Sequence, residues 1–443
     1  MKRNLFYRHF PFQVCLSVFI LLFTFTVKSV AQEKPNIILI MADDLGYETL
    51  GCYGSDDYNT PNLDKMADEG MLFENCHSMP LCTPSRVQIM TGKYNFRNYV
   101  GFGILDPKEK TFGHRMQEEG YKTCIAGKWQ LYGNDVQRKL VNGKLGSLPD
   151  QAGFDSYSLW QVKDRGFRYK SPTIDTKEKG LQTYPGEYGP DLFVDYIEDF
   201  METNQDHPFF VYYPMCITHD PFLPTPFSNG FNSYDPEKRT NDAKYFGEMV
   251  NYMDHLVGRI IKKVESLDLS ENTLILFVGD NGTDRDVTSN FQGQKLKGNK
   301  GYTNDLGTHV PLIAKWQGTI EPGVVNSHLI DFTDFVPTLL DVSMSEINRN
   351  QLILDGISFF PQLKGERKAE TRDWIFCHYA PNWGKFEPRR YVFDTQLKLY
   401  ENGEIYDLSK DLYETTPIHK SHLGRKQLKK IKTFESVLAK MNN

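Results

Sequence analysis

Apolar residues along this chain fall into two rhythms. Continuous apolar runs occur at Asn36-Ile37-Ile38-Leu39-Ile40-Met41-Ala42 and at Thr273-Leu274-Ile275-Leu276-Phe277-Val278. Runs of that length without polar alternation predict strands buried on both faces, as in a parallel sheet. Residues 121–126 and 208–213 read the same way. Elsewhere the apolar positions recur at helical spacing, through Leu192, Phe193, Tyr196, Ile197 and Phe200, and again through Met249, Met253, Leu256, Ile260 and Val264. Thr60-Pro61 predicts a helix start, with Thr60 as cap and Pro61 in the first turn, and Gly70 predicts its end. Strand and helix alternation of this kind predicts an α/β fold with a large mixed, mostly parallel sheet flanked by helices.

The pattern changes near residue 345. Residues 343–350 are polar and linker-like. Shorter strand-like pieces follow at 374–378 and 390–393, and 396–400 and 404–408 flank the turn Glu401-Asn402-Gly403. Asn-Gly between two such runs predicts a hairpin. A basic helix over about 423–441 ends the chain. This is expected to be a small α+β unit with an antiparallel sheet.

The first 31 residues read as a targeting segment rather than as fold. Lys2, Arg3 and Arg8 precede an apolar run from Val14 to Val27, and Ser29-Val30-Ala31 follows it. A basic start, a short apolar core and a small-residue exit predict a signal peptide and an exported, periplasmic or secreted protein. The run has 14 residues, short of the ~20 that span a bilayer, so no stable membrane span is expected.

Charge and cysteine content narrow the picture further. The 443 residues carry a net charge of −6, and losing residues 1–31 removes four basic groups and no acid, leaving −10. That balance argues against nonspecific nucleic-acid binding, which needs a basic face. Cys52, Cys76, Cys82, Cys124, Cys216 and Cys377 follow the segment, with no zinc-ligand spacing among them. Six in so long a chain is not a disulfide framework, and most are expected to be small core residues.

Candidate chemistry lies at the strand ends, where ligands sit in open α/β sheets. The strand at 36–42 runs into Asp43-Asp44-Leu45-Gly46, and that at 273–278 into Gly279-Asp280-Asn281-Gly282. If the two strands are neighbours, three carboxylates and an amide oxygen converge. Such a cluster is costly without a cation, and oxygen ligands select Ca²⁺ or Mg²⁺ over zinc. Asp, Asn and Gly are also ordinary turn residues, so either role is open on these grounds. A second candidate is Pro80-Leu81-Cys82-Thr83-Pro84-Ser85-Arg86. It predicts a helix capped by Thr83 with Pro84 first, putting Cys82 just ahead of a positive helix end and Arg86 one turn on. That context suits either an activated thiol or an ordinary loop cysteine.

Cys82-Thr83-Pro84-Ser85-Arg86 resembles the C-x-P-S-R signature of the type I sulfatases, in the alkaline phosphatase superfamily. The resemblance extends in order along the chain. It takes in residues 35–46, Thr60-Pro61-Asn62-Leu63-Asp64, Thr91-Gly92-Lys93-Tyr94, Gly127-Lys128-Trp129 and Thr218-His219-Asp220-Pro221-Phe222. It continues through Asp280-Asn281-Gly282, Lys300-Gly301 with Gly307 and Val310-Pro311, and the hairpin ending Tyr406-Asp407-Leu408. It implies a catalytic domain over 32–345 and a C-terminal subdomain over 346–443.

The resemblance also implies a chemistry, hydrolysis of sulfate esters. Cys82 becomes Cα-formylglycine, made by a maturation enzyme, and its gem-diol attacks sulfur. Asp43, Asp44, Asp280 and Asn281, with residue 82, hold one Ca²⁺. Arg86, Lys128 and Lys300 hold the diol and the sulfate oxygens, Asp280 can take the diol proton, and His219 protonates the departing alcohol. Two departures stand out. The family usually has His where Gln130 stands, a residue that helps the second half-reaction; Gln cannot titrate. Leu306 and His309 replace a common Gly and Arg. Three readings are compared: a sulfatase acting on sulfated carbohydrates, a phosphonate or phosphate ester hydrolase of the same superfamily, and an exported binding protein retaining only the pocket. Trp160, Arg165, Trp383, Arg389 and Arg390 are candidates for a sugar pocket, though ordinary surface roles fit each as well.

Overall fold

The computed structural model describes Met1 and residues 34–441; the signal segment expected over 1–31 lies outside the described residues apart from Met1. The described residues 34–441 form one compact unit. Ten strands make its main sheet. They run across it as Val324–Asp331, Met71–His77, His309–Lys315, Thr273–Gly279, Asn36–Ala42, Phe209–Pro214, Lys122–Lys128, Ser156–Trp160, Thr173–Thr176 and Gly180–Thr183. The five strands from Thr273–Gly279 to Ser156–Trp160 are mutually parallel. His309–Lys315 is antiparallel to both its neighbours.

The continuous apolar runs follow from burial on both faces. In Asn36–Ala42, Ile38 and Ile40 pack with Phe193, Ile197, Met249 and Met253 of the helices Gly189–Thr203 and Phe246–Ser266. The intervening Ile37, Leu39 and Met41 pack on the other side with Val87, Ile89, Phe112 and Leu339. Each of these strand side chains is fully buried, worth roughly 1.5–3 kcal/mol apiece. Both amphipathic helices thus face the sheet as their spacing predicts.

The C-terminal sheet pairs Ile375–Tyr379, Arg389–Phe393, Leu397–Tyr400 and Ile405–Asp407, all antiparallel. The helix Arg425–Lys440 covers one face through Ile431, Phe434 and Val437. The other face packs through Cys377, Tyr379 and Tyr391 against Met79, Leu81 and Cys82. The small sheet is therefore a wall behind the Cys82 segment. All six described cysteines are free thiols, and among the described residues no helix is long and apolar enough to cross a membrane.

Candidate active site

Four neighbouring strands deliver their carboxyl ends to one place. Ala42 pairs with Gly279 across the two central strands, so Asp43-Asp44 and Asp280-Asn281 leave side by side. Lys128 ends the strand Lys122–Lys128, and His219 lies just past Phe209–Pro214. Gly127, before Lys128, has φ +118° and leaves a gap of only 2.1 Å between its missing Cβ and the Pro214 carbonyl. Only glycine lets the two strands meet that closely.

Cys82 comes from the same edge of the sheet: it follows the strand Met71–His77, which runs parallel to the central strands, and is the first residue of the helix Cys82–Thr91. This corrects the expected boundary. Leu81 holds the cap position in extended geometry, and Thr83 instead accepts a hydrogen bond from the Gly103 amide (3.1 Å). Pro84 is then the third helical residue, where a missing N–H costs nothing because the first turn's donors have no helical partner. Ser85 Oγ donates to the Leu81 carbonyl (2.9 Å) and fixes the turn. Ligand atoms of Cys82, Asp43 and Asp280 all lie within 4.8 Å of one another.

The charges interlock. Lys128 Nζ donates to both Asp43 oxygens, each at 2.7 Å. Arg86 Nε donates to Asp280 (3.4 Å) and Nη1 to the Lys128 carbonyl (3.0 Å). Lys300 pairs with Asp44, and its Nζ lies 3.3 Å from His219 Nε2. Asp44, at φ +62°, occupies the left-handed region that Asp tolerates better than most residues. Its amide donates to Asp280 Oδ1 (2.9 Å).

Within this ion-pair cluster two buried atoms, Asn281 Oδ1 and Arg86 Nη2, make no hydrogen bond, although Arg86 Nη2 lies 3.9 Å from Asp43 Oδ1. One is an acceptor beside Asp44 and the other a donor beside Asp43 in the same network. Burial and the Asp43 carboxylate push Asp280 up to about 8, whereas Asp43, although also buried, is held far below its usual range by Lys128 and the other cations around it. Arg86 and Lys128 therefore do not offset the burial of Asp280 and the carboxylates beside it. An all-oxygen set with an orphaned amide oxygen fits a hard divalent cation, and an orphaned guanidinium N–H fits an oxyanion. The Cys82 thiol itself is pushed up, above all by burial. It is therefore not the activated thiol that a helix end alone would make of it.

Above these groups opens a cavity of about 430 Å³ lined by Cys82, Gln130, His219 and Lys300 among others. Gln130, at φ +50°, borders this space, and its backbone amide donates to the Gln161 carbonyl (3.1 Å). Arg165 and Trp383 also line it, and Trp383 stacks on Phe102 at 4.7 Å. The other proposed sugar contacts lie elsewhere. Trp160 is buried beneath Arg168, Arg389 borders a different cavity, and Arg390 reaches Glu401 and the last helix. Leu306 is buried in the short helix Asp305–Thr308, and His309 stacks between Tyr47 and His77, outside the cavity lining.

Sequence reasoning missed several contributors. His219 Nδ1 lies 2.8 Å from Asp220 Oδ1 and 3.3 Å from Arg168 Nη2. Gln137 and Gln161 line the cavity, each more than nine-tenths buried, and each has one amide atom without a partner. Gln161 directly follows the strand Ser156–Trp160. Recognising that strand would have marked it, because ligands gather at such ends.

Comparison with known proteins agrees with this geometry. The sulfatase family model matches residues 35–344, and the N-sulphoglucosamine sulphohydrolase C-terminal model matches 299–441. Arylsulfatase A of Bos taurus is 31% identical, covering 80% of this chain and 72% of its own. N-acetylgalactosamine-6-sulfatase of Canis lupus familiaris is 29% identical over 76% and 67%. Among solved structures, one described in complex with its substrate D-glucosamine-2-N,6-O-disulfate superposes with TM-score 0.74 at 20% identity, over 93% of this chain and 99% of the other. The phosphonate monoester hydrolase of Agrobacterium radiobacter superposes at 0.66 and 19% identity, over 91% and 95%. At these identities both show the shared fold alone. With its family model spanning most of the main sheet and the strand-end site, the chain belongs to the type I sulfatases: it is a sulfuric ester hydrolase with an alkaline-phosphatase-like fold.

Proposed function

We propose that this protein hydrolyses sulfate esters of carbohydrates outside the cytoplasm, after export and after a maturation enzyme converts Cys82 to formylglycine. The observation that carries the site assignment is the pair of buried atoms without a hydrogen bond, Asn281 Oδ1 and Arg86 Nη2, in one cluster of charges. They match a cation and a sulfate oxygen respectively. Sulfated sugars are the substrates named for several relatives, among them N-acetylgalactosamine-6-sulfatase. The stacked Trp383–Phe102 pair and the two unsatisfied glutamines supply the apolar face and amide contacts that a sugar needs.

In this reading the hydrated aldehyde at position 82 supplies the nucleophile. Asp43, Asp44, Asp280 and Asn281 hold one Ca²⁺, which supplies Lewis-acid polarisation of the sulfate. Arg86, Lys128 and Lys300 hold the oxygens on which charge builds. His219 gives a proton to the departing sugar oxygen from Nε2, the nitrogen turned toward Lys300 and Asp44. Asp220 faces the other ring nitrogen and orients it.

Two outcomes check this reading. Chelation followed by dialysis is expected to reduce hydrolysis to background and to lower the thermal midpoint. Ca²⁺ at about a thousandfold above Kd should restore both, with ~4 kcal/mol of stabilisation. Full activity in protein shown by elemental analysis to be metal-free would refute the metal assignment. The second outcome concerns position 130. Matured Gln130→His is expected to raise kcat by about tenfold or more, since a positioned acid–base group contributes on that scale, and His is tolerated at positive φ. An unchanged or lower kcat would show that another group already moves that proton.

A further inference from the structure

A second cavity, of about 660 Å³, adjoins the first and shares Arg165 with it. Arg168, Lys170 and Arg239 also line it, against a single carboxylate, Glu237. Among the described residues none of these four cations makes an ion pair. Arg168 is buried, yet its guanidinium donates to the Asp220 carbonyl and lies 3.3 Å from His219 Nδ1, with no carboxylate in ion-pair contact. Lys170 Nζ is held by three backbone carbonyls, of Phe231, Asn232 and Tyr234. Arg165 and Arg239 are exposed. Burial and the neighbouring charges of Arg168 and Arg239 make the Arg165 cation less favourable than usual, despite Asp220 nearby.

In a protein of net negative charge, four cations gathered around one hollow without an ion pair, with only Glu237 on its lining and Asp220 near Arg165 and Arg168, are unexpected as simple surface. Like charges held together cost free energy that a bound anion recovers. Arginine's planar fork suits sulfate and carboxylate alike. Arg168 also touches His219, which places the cationic hollow directly behind the group facing the leaving sugar.

We infer that this hollow is a second anion subsite, so that the preferred substrate is a saccharide with a further sulfate or carboxylate on the sugar next to the scissile ester. The inference rests on the carbohydrate-sulfatase reading above and names its substrate class. It also implies that selectivity weakens as salt screens the subsite.

The test compares kcat/KM of the matured enzyme on three sulfated disaccharides: one with a single sulfate, one with a second sulfate on the adjoining sugar, and one with a uronate there. At least one dianionic form is expected to be favoured tenfold or more, and which one identifies the second anion. Arg165→Met and Arg239→Met should each shrink that preference severalfold, and the double variant should remove it. Equal kcat/KM for all three sugars, or a preference that survives the double variant, would overturn the subsite. If the matured wild type hydrolyses none of them, the carbohydrate reading fails, and calorimetry on the Cys82→Ala protein judges the subsite separately. Tighter binding of a dianionic sugar, lost in the double variant, supports it; equal binding of all three refutes it.

Discussion

Replacing Cys82 by alanine is expected to cut sulfate ester hydrolysis by about 10⁴-fold or more while leaving the fold intact, since a covalent nucleophile has no substitute within reach. The thiol is small, so its loss removes little packing. Its chemical weight follows from its place, on the wall of the cavity and within 4.8 Å of Asp43 and Asp280. As a thiol it is a poor nucleophile: burial raises it more than Lys128 and Arg86 lower it. Activity therefore requires conversion to the aldehyde. Peptide mass spectrometry of active protein should show the thiol at position 82 replaced by an aldehyde, and Cys82→Ser should be as inactive as the alanine variant. An active preparation carrying unmodified Cys82 throughout would sink this mechanism, whatever the alanine variant does.

The parts of the fold legible in the chain are those where one physical demand acts alone. Asn36–Ala42 and Thr273–Gly279 are buried on both faces, so apolar continuity announces them. The helix Phe246–Ser266 has a single buried stripe and shows the matching period. The strands that escaped notice answer to several demands at once. Met71–His77 carries Glu74 at an exposed and Asn75 at a half-exposed position. His309–Lys315 contains Pro311, which its register shift between Val310 and Leu312 accommodates. The start of the Cys82 helix was misplaced because Thr83 and Pro84 imitate a cap, while the closing contacts come from Ser85 and a distant glycine amide.

The same division holds in the site. Asp43, Asp44, Asp280 and Asn281 were visible because carboxylates at strand ends are costly and conspicuous. Arg168 lies in an irregular segment, and its role depends on a contact 51 residues away. Gln137 and Gln161 have no motif; only burial with an unsatisfied amide marks them.

Arg372→Met is expected to destabilise the protein by about 3–5 kcal/mol, the usual cost of removing one member of a buried ion pair. The Arg372 guanidinium donates through Nε to both Asp334 oxygens (2.9 and 2.7 Å) and through Nη1 to the Tyr94 hydroxyl (3.0 Å). Asp331 sits beside the pair and accepts from Gln88 of the Cys82 helix (3.0 Å). Burial pushes Asp331 up to about 6 even with Arg372 opposing. A raised folded-state pKa means the folded protein holds that proton more tightly, so stability is lost as pH rises from about 4 through 6. Without Arg372 the acid pair has no cation, and the loss grows. The variant's deficit, measured by denaturant unfolding, should therefore be larger at pH 7 than at pH 5. Adding Asp334→Asn should recover part of it, because the deficit comes from a buried charge left unpaired rather than from lost contact area. A pH-independent deficit below about 1 kcal/mol would show that the pair does not hold the helix carrying Cys82 and Arg86 against the C-terminal sheet.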